Sequence, residues 1–255
     1  MKLKYFLLLL GYLLILCSCN RDENIGENAN VSEAKPVMVI SDGATEYNID
    51  NGVSLISWIG SKPAGKHKGI IDIQDGFVAV LDHKIVGGKI TIDLNTISSL
   101  DLREDSENYK KLINHLKSAD FFDVANYPTA GFEFTNVAAY DSTEGIEVKE
   151  EYESEHKPEA ANEYIITNPT HKVEGNLTMR GKVLNISFPA RITFENGSLK
   201  AVAKFNIDRT LWNLKYRDEA TVADKTKDKF IYNTVNVGFR FVGYSDEEGS
   251  IANNL

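Results

Sequence analysis

Three observations predict an all-β protein built from antiparallel strands. Apolar and polar residues alternate over long stretches, as in Ile90, Ile92 and Leu94 against Thr91, Asp93 and Asn95, which is the period-two signature of half-buried strands. Turn signals such as Asn51-Gly52 and Asn196-Gly197 recur between these stretches. Only one segment has helical periodicity, so the strand–helix–strand alternation of a parallel sheet is missing. A sandwich and a barrel both satisfy this pattern.

The chain has 255 residues, 42% hydrophobic and 25% charged, enough for one globular domain that buries a full core without disulfide staples. Its formal net charge of −9 supplies no Lys/Arg clustering for a phosphate backbone, so nucleic acid is excluded as a partner. Lys2 and Lys4 followed by the apolar run Phe6–Leu16 read as a secretory signal occupying residues 1–18, too short for a membrane span. Leu16-Cys17-Ser18-Cys19 resembles a bacterial lipobox, which makes Cys19 the expected lipidation site and a lipid anchor the expected link to a membrane. Cys17 then leaves with the signal, and no thiol remains for catalysis, metal binding or a disulfide. The expected location is the bacterial cell envelope, on the outer membrane or facing the periplasm. Residues 19–45 are polar and nearly free of aromatics, which predicts a flexible tether from the lipidated cysteine. Within it, Val37–Ile40 reads equally as a first strand or as part of the tether.

From Glu46 the pattern is β. Tyr47 to Ile59 form a strand-like run broken at Asn51-Gly52, and Ile70–Ile73 and Phe77–Leu81 read as a hairpin around Asp75-Gly76. Val86–Ile97 predicts a strand, and residues 98–108 a loop. Next, Leu112, Ile113 and Leu116 share one stripe of a short helix that ends near Ser118. Phe121 and Phe122 follow as an aromatic plug, and Phe132 and Phe134 alternate with Glu133 and Thr135 as a strand. Residues 141–163 form an acidic insertion with His156, more readily a solvated loop than a cation site. Strands resume at Val173–Met179, Leu184–Phe194 (where Pro189 argues for an edge or bulge), Leu199–Ile207 and Val235–Phe241. The barrel or sandwich domain is thus placed at residues 46–244, with 245–255 as a tail.

The run from the helix through Asp120-Phe121-Phe122-Asp123, Tyr127-Pro128 and the aromatic strand resembles the YceI-like family of envelope proteins. Trp58–Gly69, Gly175–Gly181 and Ile207–Tyr216, headed by Ile-Asp-Arg-Thr, fit the same family in the same order. The resemblance covers residues 46–244. It implies an eight-stranded, lipocalin-like antiparallel barrel, with the short helix and the aromatic plug over one end. It also implies a polyisoprenoid or quinone-like lipid as the ligand within the barrel.

The inward-facing series is rich in Ile, Leu, Val and Phe, which suits an extended apolar chain or simply a filled core. Candidate ligand contacts are Trp58, His67, Phe121, Phe122, Phe132, Phe134, Phe188, Phe205, Arg209, Trp212 and Tyr216. His67 lies in a turn-rich segment and reads as a headgroup ligand or an ordinary loop histidine. Arg209 reads as the closing ion pair of the barrel end, with Asp208, or as a ligand to a pyrophosphate or carbonyl. Trp58, Trp212 and Tyr216 pack on a ligand or cap the core. Catalytic motifs are missing from the sequence, and no cofactor or metal is called for. The alternatives to a lipid carrier are an interaction module with a filled barrel and, less favoured, a hydrolase using an acid/base pair such as His67 with Asp208.

Overall fold

The computed structural model describes residues 28–141, 166–195, 197–221 and 230–245. Its elements are β1 (Asn30–Glu33), β2 (Thr45–Ile49), β3 (Leu55–Lys62), β4 (Gly65–Leu81), β5 (Lys84–Ser99), α1 (Glu107–Lys117), β6 (Thr129–Ala139), β7 (His171–Met179), β8 (Lys182–Glu195), β9 (Ser198–Asp208), a 3-10 turn (Arg209–Trp212) and β10 (Thr234–Ser245). Strands β3 to β10 pair antiparallel in sequence order, and β10 returns to β3, so the sheet closes into the expected eight-stranded barrel. Closure leaves no free sheet edge in that ring.

Local chemistry sets the corners. Asp82 and His83 (φ 49° and 60°) turn β4 into β5, and Arg180-Gly181 (φ 49° and 70°) turns β7 into β8; two left-handed residues in succession match the right-handed twist of a hairpin. The expected hairpin at Asp75-Gly76 is not there. β4 runs straight through it, with register shifts against β5 between Ile70 and Asp72 and between Ile73 and Asp75. Gly76 instead permits close approach of the two backbones, since a Cβ there would lie 2.8 Å from the Lys89 carbonyl oxygen. Asn51-Gly52 does turn, but it divides one ring position into two strands. β2 fills that position between β4 and β10 at one end of the barrel, and β3 fills it at the other.

Helix α1 begins at Ser106, whose hydroxyl accepts from the Tyr109 N–H at 3.1 Å, and ends at Ser118, whose N–H donates to the His115 carbonyl. It turns Ile113 into the core and places Leu112 and Leu116 over the barrel end formed by β3, β7 and the 3-10 turn. That end is called the mouth below.

The tether expected through residue 45 does not extend that far: residues 28–40 lie on the barrel. The β8–β9 ladder covers only Ala190–Glu195 against Ser198–Ala203. Toward the mouth the two strands separate, and β1 enters the gap, pairing with Leu184–Ser187 of β8, while Asn28 bridges to Asn206 of β9. The mouth half therefore has an additional strand position, which widens it relative to the other half. Pro189 sits between the end of the β1 ladder and the start of the β9 ladder, where its missing N–H forfeits no bond. Val37–Ile40 is not a strand, although the Met38 N–H donates to the Phe134 carbonyl at 2.9 Å.

Residues 28–40, a strap across the outside of the wall, cover outward-facing asparagines that would otherwise meet solvent. Asn176 exchanges hydrogen bonds with Lys35, donating to its carbonyl at 2.7 Å and accepting from its N–H at 3.0 Å. Asn185, only 1% exposed, donates to Thr135 Oγ1 and to Asn176 Oδ1. On the far side of β1 the Ala29 N–H donates to the Asn206 carbonyl, and Asn206 Oδ1 accepts from Asn236. Each buried amide is thus partnered, as burial demands. Asn176→Ala should destabilise the protein by about 1–3 kcal/mol, the usual cost of leaving buried partners unpaired. It should also speed proteolysis at residues 34–40 more than elsewhere; uniform cleavage rates in a melting-and-proteolysis comparison would show that the strap is not held there.

Candidate functional site

The inward residues do not fill the barrel. A mouth chamber of about 210 Å³ lies under α1, walled by Trp58, Leu94, Leu112, Leu116, Phe121, Phe122 and Met179 among others. Behind it is a deep chamber of about 80 Å³, walled by Phe132, Phe134, Phe188, Phe205, Phe239 and Phe241 with aliphatic side chains between them. Five residues line both chambers, Ile56, Ile92, Leu177, Ile207 and Val237, and form a waist contributed by β3, β5, β7, β9 and β10.

The phenylalanines form one network. Phe188 stacks on Phe205 with centroids 4.1 Å apart, Phe239 stacks on Phe241 at 4.4 Å, and Phe132 meets Phe134 edge-on at 5.2 Å. Phe188 links the three pairs through Phe132 at 5.9 Å and Phe239 at 5.6 Å. Phe132 lies flat against Gly175, where any Cβ would overlap its ring.

Among the described residues, titratable groups reach the cavity only at the mouth, as Lys62, His67 and Arg209. His67 Nδ1 is 2.7 Å from Asp101 Oδ2, an orientation that leaves Nε2 as the ring's other polar atom. Burial works to raise the Asp101 pKa, but hydrogen bonds from the Lys68 N–H, His67 and Ser99, with the His67 charge, outweigh it and hold the carboxyl below its ordinary 3.8. Arg209 is 3% exposed, and its guanidinium donates to the carbonyls of Tyr232, Leu214, Tyr216 and Ile231. Burial pulls its pKa down from the ordinary arginine value and Asp218, Asp208 and Glu219 push it up; it remains a cation. Four of its five N–H donors are spent on backbone, which makes it a fastener of the mouth.

The other expected residues divide clearly. Trp58, His67, Phe121 and Phe122 wall the mouth chamber, and Phe132, Phe134, Phe188 and Phe205 wall the deep chamber. Trp212 does not reach either chamber. It is 0% exposed, with Nε1 donating to the Leu177 carbonyl at 3.0 Å, and it supports the waist from behind. Tyr216 also lies outside the lining, packed edge-on against His115 at 4.5 Å. The acid/base pair His67–Asp208 is not formed, because His67 holds Asp101 while Asp208 accepts from the Thr210 N–H and hydroxyl. Asp101, Phe239 and Phe241 were not singled out from the sequence. The alternation of β10 carried a signal for the two phenylalanines, whereas nothing local announced a contact between His67 and a residue 34 positions away. Cys19 and the acidic insertion over 142–163 lie outside the described residues.

Among the described residues, no group of three or more His, Cys, Asp or Glu side chains is placed to hold a metal ion. The arrangement suits retention of an apolar chain with its polar end at the mouth.

Two measurements test this assignment. The Trp58 indole N–H is buried without a hydrogen-bond acceptor among the described residues, so Trp58→Phe should cost under about 1.5 kcal/mol. Trp212→Phe removes the hydrogen bond to the Leu177 carbonyl and opens a cavity, and should cost about 2–4 kcal/mol by denaturant unfolding. Equal losses would reverse the roles given to the two rings. For Asp101, the folded-state pKa lies below the unfolded one, so its stabilisation is present above the carboxylate range and is lost as pH falls through it. Melting temperature should therefore drop on acidification below about pH 4, and less steeply in Asp101→Asn.

A family model, the YceI-like domain, matches residues 47–242. Among solved structures, Burkholderia cenocepacia BcnA superposes with a TM-score of 0.51 at 18% identity, covering 76% of this chain and 98% of its own. A polyisoprenoid binding domain from Saccharophagus degradans, described as implicated in plant cell wall breakdown, gives 0.49 at 15% identity, covering 78% of this chain and 98% of its own. A Campylobacter jejuni YCEI protein gives 0.39 at 16% identity, covering 64% and 74%. No curated protein matches the chain.

Proposed function

The chain belongs to the YceI-like domain family, and from that premise and the cavity geometry we propose that it binds one long apolar lipid of polyisoprenoid or quinone-like type, for storage or transfer within the cell envelope. The observation that carries this reading is the paired apolar chambers, with every titratable lining group at one end. Such a bore accepts a tail and leaves a polar headgroup beside His67 and Lys62. A sugar or nucleotide would meet almost no hydrogen-bonding group inside it.

The N-terminal sequence supports the rest of the proposal. Residues 1–18 act as a signal peptide, and Cys19 carries the acyl chains that attach the protein to a bacterial membrane, each buried CH₂ adding roughly 0.8 kcal/mol. Residues 28–40 lie on the barrel, so at most the stretch between Cys19 and Asn28 separates the anchor from it. Fully extended at about 3.5 Å per residue, that stretch keeps the barrel within about 30 Å of the anchor.

Organic extraction of the protein purified from its native membrane, followed by mass spectrometry, tests the ligand. A near-stoichiometric isoprenoid or prenylquinone is expected. A clean extract, with no uptake of added prenylquinone by the emptied protein, would overturn the carrier reading. Cys19→Ala should release the protein from the membrane fraction, and retention of that variant would count against the anchor.

A further inference from the structure

We propose that the waist and the phenylalanine-lined chamber behind it select the bound lipid by tail length, favouring tails longer than an ordinary membrane acyl chain. This rests on the carrier reading above and adds a specificity to it.

The argument begins with unequal halves. β1 widens the mouth half by entering the β8–β9 gap, and the deep half lacks that additional strand position. The chambers follow the same order, about 210 Å³ before the waist and about 80 Å³ behind it. The far end is blind, being closed by Ile85, Leu199 and Phe241, all buried. A tail that crosses the waist therefore has a stop and no exit.

Length comes from the strands. β5 lines the bore from Ile97 at the mouth through Ile92 at the waist to Ile85 at the blind end, and at about 3.3 Å per residue with a tilt near 40° that stretch is about 30 Å long. That is close to the ~30 Å hydrocarbon thickness of a whole bilayer, about twice the reach of a chain confined to one leaflet. A phospholipid acyl chain would fill the mouth half and end near the waist. Only a longer tail reaches the phenylalanines. An empty apolar cavity is costly in proportion to its volume, and at the measured coefficient filling about 80 Å³ amounts to about 20-fold in affinity.

Phe132 shows how the stop is set. Its ring is drawn back to the wall because Gly175 has no side chain, so a methyl group at 175 should drive the ring into the bore. A larger side chain at Leu177, in the waist, should block passage directly.

The test uses the full chain, emptied of lipid and titrated with prenylquinones that share one headgroup and differ in tail length, read by tryptophan fluorescence. Affinity should rise about 20-fold between a tail ending at the waist and one filling the deep chamber, then level off. Leu177→Phe and Gly175→Ala should bring the plateau to shorter tails, and Phe188→Leu should move it to longer ones; a thermal melt identifies any variant that has not folded, and the remaining two carry the comparison. Binding that is independent of tail length, or a plateau unmoved in the folded variants, would overturn length selection while leaving lipid binding intact. Failure to bind a prenylquinone of any length would overturn the carrier reading itself, and this proposal with it.

Discussion

Four main-chain carbonyls from two separate stretches of chain converge on the buried guanidinium of Arg209, and the mouth of the barrel is arranged around that contact. Leu214 and Tyr216 follow the 3-10 turn, and Ile231 and Tyr232 lead into β10, so one side chain pins both sides of the excursion between β9 and β10. A buried cation with its donors unmet would be strongly unfavourable, and replacing it would strand four acceptors as well. The restraint is passed onward. Arg209 fixes the turn in which Trp212 sits, Trp212 bonds the Leu177 carbonyl, and Leu177 is one of the side chains that narrow the bore. The polar fastening at the rim and the apolar width at the centre are therefore parts of one arrangement.

Much of this was legible in the sequence because the relevant forces are local and periodic. Alternation located the strands of the ring, and the Leu112, Ile113 and Leu116 stripe ending near Ser118 located the helix. The phenylalanines of β6, β8 and β9 were recognisable as inward-facing by parity alone. What escaped notice depended on distant partners. A Gly after Asp75 looks like a hairpin turn, yet it is a place where two backbones touch, and only the partner strand distinguishes the two. Arg209 and Asp208 looked like a pair because they are adjacent, but the acceptors that claim the guanidinium lie as far as 23 residues away. Trp212 and Tyr216 shared the aromatic character of lining residues, and the side of the wall they occupy is decided by tertiary packing.

The strap was the largest departure. Its composition is that of a segment unable to fold alone, and that inference was sound as far as burial of its own apolar groups goes. The binding partners were on the other side: the Asn176 amide and the backbone edges of β8 and β9 present groups that a polar chain can satisfy. Asparagine on the outer face of a strand is unremarkable in sequence, since solvent is its default partner. Its burial here is the mark of a second layer, held by hydrogen bonds more than by apolar area.

The family match begins at residue 47, whereas β1 lies at residues 30–33. The portion of the chain shared with relatives and the portion needed to complete this molecule are thus of different extent. A chain started at the family boundary would have every strand of the ring and still be left with a slit between β8 and β9, and the Asn176 amide would lose the Lys35 carbonyl to which it donates. Domain limits drawn from similarity would in this case cut through a single unit, because the leading segment belongs to the wall of the barrel.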